Sequence, residues 1–289
     1  MAIRAATFKG LRMDGSLTAA LSCSPFLAIV FTPQGHPKES ERAKTPMIDS
    51  QVEIQTKDGK TTTFITHPER GGPFPVVIFY MDAPAIREEL RDMARRLGTS
   101  GYYVMLPNMY YRAGVMELGP INPDPESPER KRMFSLMNSL TIPLVMEDTR
   151  GLLAHAETQK AANTKIIGTV GYCMSGRYAV NAATHFPDRV KAAASVYGVQ
   201  LATDEPDSPH LAAGKTKAEL YFACAETDAY APQEIIDKVT QAMKGTKNEV
   251  EVYPGTHHGF AFPKRPVYHR DAAERHWERL LALYRRNFV

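Results

Sequence analysis

Cysteine is scarce in this chain. There are three, Cys23, Cys173 and Cys224, and no two of them form a C-x-x-C pair. That scarcity argues against a cysteine-rich zinc site and against a dithiol redox motif. The odd count argues against a secreted disulfide framework and fits a reducing compartment, taken here as the cytoplasm. No uninterrupted apolar run of about 20 residues occurs, so no membrane-spanning helix is expected. Charge of one sign is also lacking. The formal net charge is only +3, and basic residues alternate with acids, as in Arg87-Glu88-Glu89 and Arg91-Asp92. Such a pattern reads as solvated helix faces and not as a nucleic-acid surface.

What remains is an ordinary globular mixture, 43% hydrophobic and 23% charged over 289 residues, long enough for one sizeable core. The first 46 residues are set apart. Residues 17–31 are largely apolar and follow Arg4, Lys9 and Arg12, a signal-like arrangement interrupted by Ser22, Ser24 and Pro25. Gln34 to Pro46 is linker-like, and Met47 is a second start position where patterned sequence begins. The expected organisation is a poorly ordered extension over 1–46 and one domain over 47–289.

Within that domain, Val52 to Thr56 alternates as a half-buried strand, Asp58-Gly59 signals a turn, and Thr61 to Thr66 reads as the returning strand. The continuous apolar run Pro75 to Tyr80 predicts a central parallel strand buried on both faces. Strands are expected at Tyr102–Pro107, Ile166–Gly171, Val190–Tyr197, Glu219–Cys224 and Glu249–Tyr253. Helices are expected over 86–98, 130–139, 143–160, 175–185, 232–243 and 268–286. Residues 108–129, with four prolines, read as irregular. Strands alternating with helices predict an α/β fold with a mostly parallel central sheet covered by helices on both faces.

Three segments carry chemistry. Val170-Gly171-Tyr172-Cys173-Met174-Ser175-Gly176 lies between a strand and a helix, with small residues flanking Cys173 at the positions where a sharp nucleophile turn leaves no room for larger ones. The following helix N-terminus would favour a thiolate. Asp228 lies in the loop after the strand ending at Cys224, where a carboxylate can orient a histidine; Glu226 competes for that role. His257-His258-Gly259 follows the last strand. No spaced cysteine or carboxylate accompanies the two histidines, so neither a metal nor an organic cofactor is expected. The chain order Cys173, Asp228, His258 is the nucleophile–acid–base order of α/β-hydrolases.

With those residues in place, the chain from about 50 to 289 resembles the dienelactone hydrolase (carboxymethylenebutenolidase-like) family of the α/β-hydrolase fold. Gly171-Tyr172-Cys173-Met174-Ser175-Gly176 resembles the family's G-x-C-x-G-G turn, with Ser175 in place of a glycine. His258-Gly259-Phe260 resembles its H-[GS]-F. The resemblance implies Cys173 as nucleophile, Asp228 as acid and His258 as base. It sets Asp82 where the family has a glutamate that meets the resting thiol. It sets Arg112, beside Tyr110, where the family has an arginine that binds a substrate carboxylate. The family's second carboxylate-binding arginine falls at Phe262, and Lys264 and Arg265 are the nearby cations that would have to substitute.

The implied reaction is hydrolysis of a small ester or lactone through a thioester. The oxyanion would be held by the backbone N–H groups of Met174 and Ala83. The expected partner is that small substrate alone, with no nucleic acid and no membrane, and the protein a monomer or small homo-oligomer. Acyl transfer by the same residues, a non-catalytic binding protein on this fold, and redox sensing by Cys173 with Cys224 are the other readings left open.

Overall fold

The computed structural model describes residues 46–288, and the expectations for the N-terminal extension, Cys23 included, lie outside the described residues. The chain enters as a hairpin. β1 (Met47–Thr56) and β2 (Gly59–Pro68) pair antiparallel from Met47↔Pro68 to Thr56↔Gly59, which leaves a two-residue turn. Gly59, at φ +142°, takes a backbone conformation that other residues rarely adopt. β3 (Phe74–Tyr80) is the continuous apolar run, and it is buried along its length from Val76 onward. The remaining strands are β4 (Tyr103–Pro107), β5 (Ala162–Tyr172), β6 (Val190–Val196), β7 (Glu219–Thr227) and β8 (Glu249–His257).

These form one eight-stranded sheet in the order β1-β2-β4-β3-β5-β6-β7-β8. β1, β2 and β4 are joined by antiparallel pairs; every pair from β4 onward is parallel. The helices are α1 (Glu88–Gly98), α2 (Pro128–Asn138), α3 (Ile142–Glu157), α4 (Gly176–His185), α5 (Gln233–Met243) and α6 (Arg270–Asn287). This is the mostly parallel, helix-covered sheet that the alternation of patterns predicts. Among the described residues no helix is long and apolar enough to cross a membrane.

Several boundaries differ from the sequence expectation, and three of them have a clear physical reason. β1 begins at Met47, before the alternating segment, because its pairing with β2 uses main-chain groups that need no apolar side chain. β8 continues past Tyr253 through Pro254 and Gly255 to His257, after a register irregularity where Thr227 meets His257. The helix expected from Ser175 is preceded by a tight 3-10 turn at Cys173–Ser175, and α4 proper starts at Gly176.

The topology gathers the chemistry at one edge of the sheet. In open parallel sheets the crevice lies beyond the carboxyl ends of the strands. Here those ends are Tyr80, leading to Asp82 and Ala83; Tyr172, leading to Cys173; Thr227, leading to Asp228; and His257, leading to His258.

Candidate active site

Cys173 sits at φ +55°, a left-handed conformation that a non-glycine residue holds only when its surroundings enforce it. Those surroundings are identifiable. A Cβ at Gly171 would overlap the backbone carbonyl of Ser175, and one at Gly176 would overlap the Ser195 hydroxyl and lie 2.7 Å from Gly198 Cα. The turn therefore closes only with glycine at both positions. Ser175 is fully buried, and its hydroxyl donates to the Met81 carbonyl. That bond fastens the turn to the segment after β3, a tie that a glycine at 175 could not make. The Cys173 carbonyl accepts from Val199 N–H at 3.1 Å, which anchors the other side.

His258 and Asp228 meet directly. His258 Nδ1 lies 2.7 Å from Asp228 Oδ2, while Asp228 Oδ1 accepts from the Tyr230 N–H at 2.8 Å. Both carboxylate oxygens are thus engaged, and the ring is oriented by its Nδ1 donor. Glu226 instead accepts from Gly255 N–H at 2.9 Å and ties the β7 end to the β8 end. The geometry selects Asp228 over Glu226 as the histidine's partner. His257, next in chain, is exposed.

Aromatic edges fix the His258 ring further, with Tyr197 at 5.1 Å and Tyr230 at 4.8 Å between centroids. Nε2 is buried and has no hydrogen-bond partner among the described residues. Cys173 stands close enough for its charge to act on the ring, although no bond between them meets hydrogen-bond geometry; such bonds commonly tighten only with substrate present. Burial, the largest single influence, opposes the imidazolium. The charge of Cys173 and the Asp228 carboxylate together outweigh burial and lift His258 to about 10.

Ala83 follows Asp82 in the loop after β3. Among the described residues no hydrogen bond engages the N–H of Ala83 or that of Met174, so both donors are free. Tyr110 is buried behind them: its hydroxyl donates to the Ala83 carbonyl at 3.0 Å and lies 3.3 Å from the Met174 sulfur. It supports this corner and does not line the cavity. Burial, its chief influence, pushes the Tyr110 phenol far above its ordinary range, so it stays a neutral donor.

Two sequence expectations need correction. Arg112 does not reach the site. Its guanidinium grips Asp148 through two bonds of 2.7 and 2.8 Å and Asp58 through two of 2.8 and 2.9 Å. The β1–β2 turn carries Asp58 and α3 carries Asp148, and the pair of carboxylates holds the arginine between these elements. Asp82 is fully buried, but it makes no hydrogen bond to Cys173. Its oxygens accept from Arg87 Nη1 at 2.6 Å, Arg87 Nη2 at 3.1 Å and Arg265 Nη2 at 2.6 Å. A buried carboxylate is stable only when paired, and two arginines satisfy that demand more strongly than a thiol could.

A cavity of about 650 Å³ opens over Cys173 and His258, within the range of small-molecule sites. One wall is apolar, built by Ile121 from the proline-containing stretch and by Met133, Phe134 and Met137 from α2. The lining also carries charge of both signs, with Arg87, Arg130, Lys264 and Arg265 alongside Glu88 and Glu89. Phe262 is fully buried, and the Arg87 and Arg265 guanidinium groups both lie over its ring, at 4.9 and 4.7 Å. Of the two cations weighed for the missing arginine, Arg265 is the one that Asp82 and Phe262 hold against the cavity. The sequence points to the 108–140 stretch as a wall of the pocket, and Ile121 and α2 supply it; it did not single out Met133, Phe134, Met137 or Tyr230 as the residues that line it. The i, i+4 pair Met133 and Met137 marked one face of that helix, but nothing in the sequence told which way the face turned.

Comparison with known proteins gives a consistent result. The sequence model of the Dienelactone hydrolase family matches residues 61–288. Two curated relatives, both named "Putative carboxymethylenebutenolidase", are similar to this chain. The one from Methylorubrum extorquens is 29% identical over 246 residues, covering 83% of this chain and 81% of its own. The one from Escherichia coli is 27% identical over 265 residues, covering 88% and 94%. Among solved structures, the crystal structure of a "Putative Dienelactone Hydrolase" from Klebsiella pneumoniae superposes with a TM-score of 0.73 at 24% identity, covering 83% of this chain and 98% of that one.

Proposed function

Because the chain belongs to the dienelactone hydrolase family, we propose that it hydrolyses small esters or lactones with Cys173 as nucleophile, Asp228 as orienting acid and His258 as acid and base. The observation that carries this reading is the 2.7 Å His258–Asp228 contact beside a cysteine held at φ +55° on a glycine-framed turn. A buried histidine raised to about 10 supports a thiolate–imidazolium resting pair.

The steps follow from these groups. The thiolate attacks the carbonyl carbon, and the oxyanion is held by the N–H groups of Ala83 and Met174, free donors at a fixed turn. The imidazolium gives its Nε2 proton to the departing oxygen, and a thioester remains. Acylation removes the charge on Cys173, which is one of the causes that raised His258. The imidazole can then take a proton from water as that water attacks the thioester. Thiolate leaves, and the resting pair is restored. Esters and lactones suit this cycle because their leaving oxygen needs less protonation than an amine.

The substrate we favour is anionic. Arg265 donates to Asp82 through Nη2 only, among the bonds of the described residues, so Nε and Nη1 remain available beside the cavity. Arg87, by contrast, is engaged by Asp82, Glu89 and the Ala85 carbonyl. A thiol nucleophile works best where thiols stay reduced, which is why we place the protein in the cytoplasm.

The test is hydrolysis of phenyl acetate and of a dienelactone by the wild type and by Cys173→Ala. Turnover lost in the variant, with a Cys173-linked acyl adduct seen by mass spectrometry, supports the reading. Full turnover in Cys173→Ala overturns the nucleophile assignment, and an inert wild type with no adduct favours a binding protein on the same fold.

A further inference from the structure

The Arg130–Tyr230 contact is not used by the reaction just described, yet it joins two walls of the same cavity. Tyr230 stands in the loop that carries Asp228, and its hydroxyl accepts from Arg130 Nη2 at 3.2 Å, across 100 residues of chain. Arg130 belongs to α2, and its Nη1 donates to the Pro123 carbonyl at 3.2 Å. Pro123, Arg130 and Tyr230 all line the cavity. Together they form a bridge from the proline-containing stretch and α2 to the acid loop. Tyr230 is 44% exposed, so the bridge lies at the rim and not in the interior.

Its position relative to the chemistry is determined by His258. A carbonyl attacked by Cys173 turns its oxygen to the amides of Ala83 and Met174. The departing oxygen must then meet His258 Nε2. Whatever is attached to that oxygen continues past the His258 ring, and there the Tyr230 ring packs edge-on at 4.8 Å.

We propose that Tyr230, held by Arg130, is a specificity-determining residue that limits the size of the leaving group. The proposal rests on the hydrolytic reading above. It narrows the substrate class to esters of compact alcohols and to lactones, whose leaving oxygen stays tethered and occupies little extra space. In this reading the acyl group extends away from His258, and the bridge is not expected to restrict it.

The experiment uses two ester series with the full-length protein. In the first the acyl group is acetyl and the leaving group grows from phenol to 4-phenylphenol. In the second the leaving group is phenol and the acyl group grows from acetyl to hexanoyl. Tyr230→Phe removes the hydroxyl but keeps the ring on His258 and the backbone bond to Asp228; Arg130→Ala removes the bridge from the other side. A single pocket contact of this kind discriminates by about 10- to 200-fold. Both variants are expected to raise the 4-phenylphenyl/phenyl ratio of kcat/KM by about tenfold or more, with the hexanoyl/acetyl ratio unmoved. An unchanged first ratio, or equal shifts in both series, overturns the proposal.

A second readout separates this outcome from failure of the hydrolase reading. Alkylation of Cys173 by iodoacetamide and by N-(1-pyrenyl)iodoacetamide, followed by mass spectrometry, needs no turnover. If the wild type hydrolyses neither series, the bridge is still supported by a rise of about tenfold or more in the pyrenyl/iodoacetamide rate ratio in both variants. No rise overturns it.

Discussion

A methyl group at Gly171 would collide with the Ser175 carbonyl, a rigid backbone atom that cannot step aside. Gly171→Ala is therefore expected to lower stability by about 3 kcal/mol or more, measured by urea unfolding, and to abolish esterase activity even where folded protein is recovered. His258 gives a second test at this scale. In an unfolded chain imidazole releases its proton near 6.5, as in model peptides; in the folded protein the value is about 10. The raised value means that the protonated ring contributes stability fully below about pH 6.5. That contribution is lost as pH rises through about 10. The melting temperature of the wild type should therefore exceed that of His258→Gln most at pH 6, with the gap closing toward pH 10. The three candidates were legible in the sequence, and the fold brings two of them, His258 and Asp228, within 2.7 Å. Cys173, Asp228 and His258 each follow a patterned strand, and the small residues around Cys173 announce the sharp turn. The φ of +55° was not legible, and local pattern alone left Glu226 beside Asp228 as a candidate, because both points depend on which strand ends are neighbours.

Between elements, the clearest divergence concerns arginines. Arg112 locks the β1–β2 turn to α3 through Asp58 and Asp148, and Tyr111 reinforces it with a 2.7 Å bond to Asp148. Both carboxylates push the Arg112 guanidinium upward in pKa against the opposing effect of burial, the largest influence. Arg112→Ala is expected to lower stability by about 1–2 kcal/mol, as for a partly buried pair, without altering the preference for anionic over neutral esters. Arg265→Ala should do the reverse: the kcat/KM ratio of anionic to neutral esters falls by about tenfold or more. Equal effects on that ratio would show that Arg265 does not bind the substrate anion. The sequence could not separate these arginines, because local patterning gives a residue's element but not the carboxylates that the fold brings to it.

Across the whole molecule, the buried face of α6 shapes the acid stability of the fold. His276 is fully buried; its Nδ1 bonds the Ala273 carbonyl and its Nε2 lies 3.0 Å from the Tyr172 hydroxyl, one residue before Cys173. Burial lowers it to about 4. Below its ordinary value near 6.5 the unfolded chain takes up a proton that the folded protein refuses, so stability falls as pH drops from about 6.5. The fall levels off near 4. His276→Gln should flatten the decline in melting temperature over that interval, while a decline of unchanged slope would assign the acid sensitivity elsewhere. What the sequence alone determined was the order of elements, the parallel α/β class and the chemical types at three strand ends, because these follow from periodicity and local sterics along the chain. What only the tertiary structure decided was the set of partners beyond that: Asp82 for Arg265, Asp148 for Arg112 and Tyr230 for Arg130. Pairing energies depend on distances between residues far apart in sequence, and packing of the sheet and helices sets those distances.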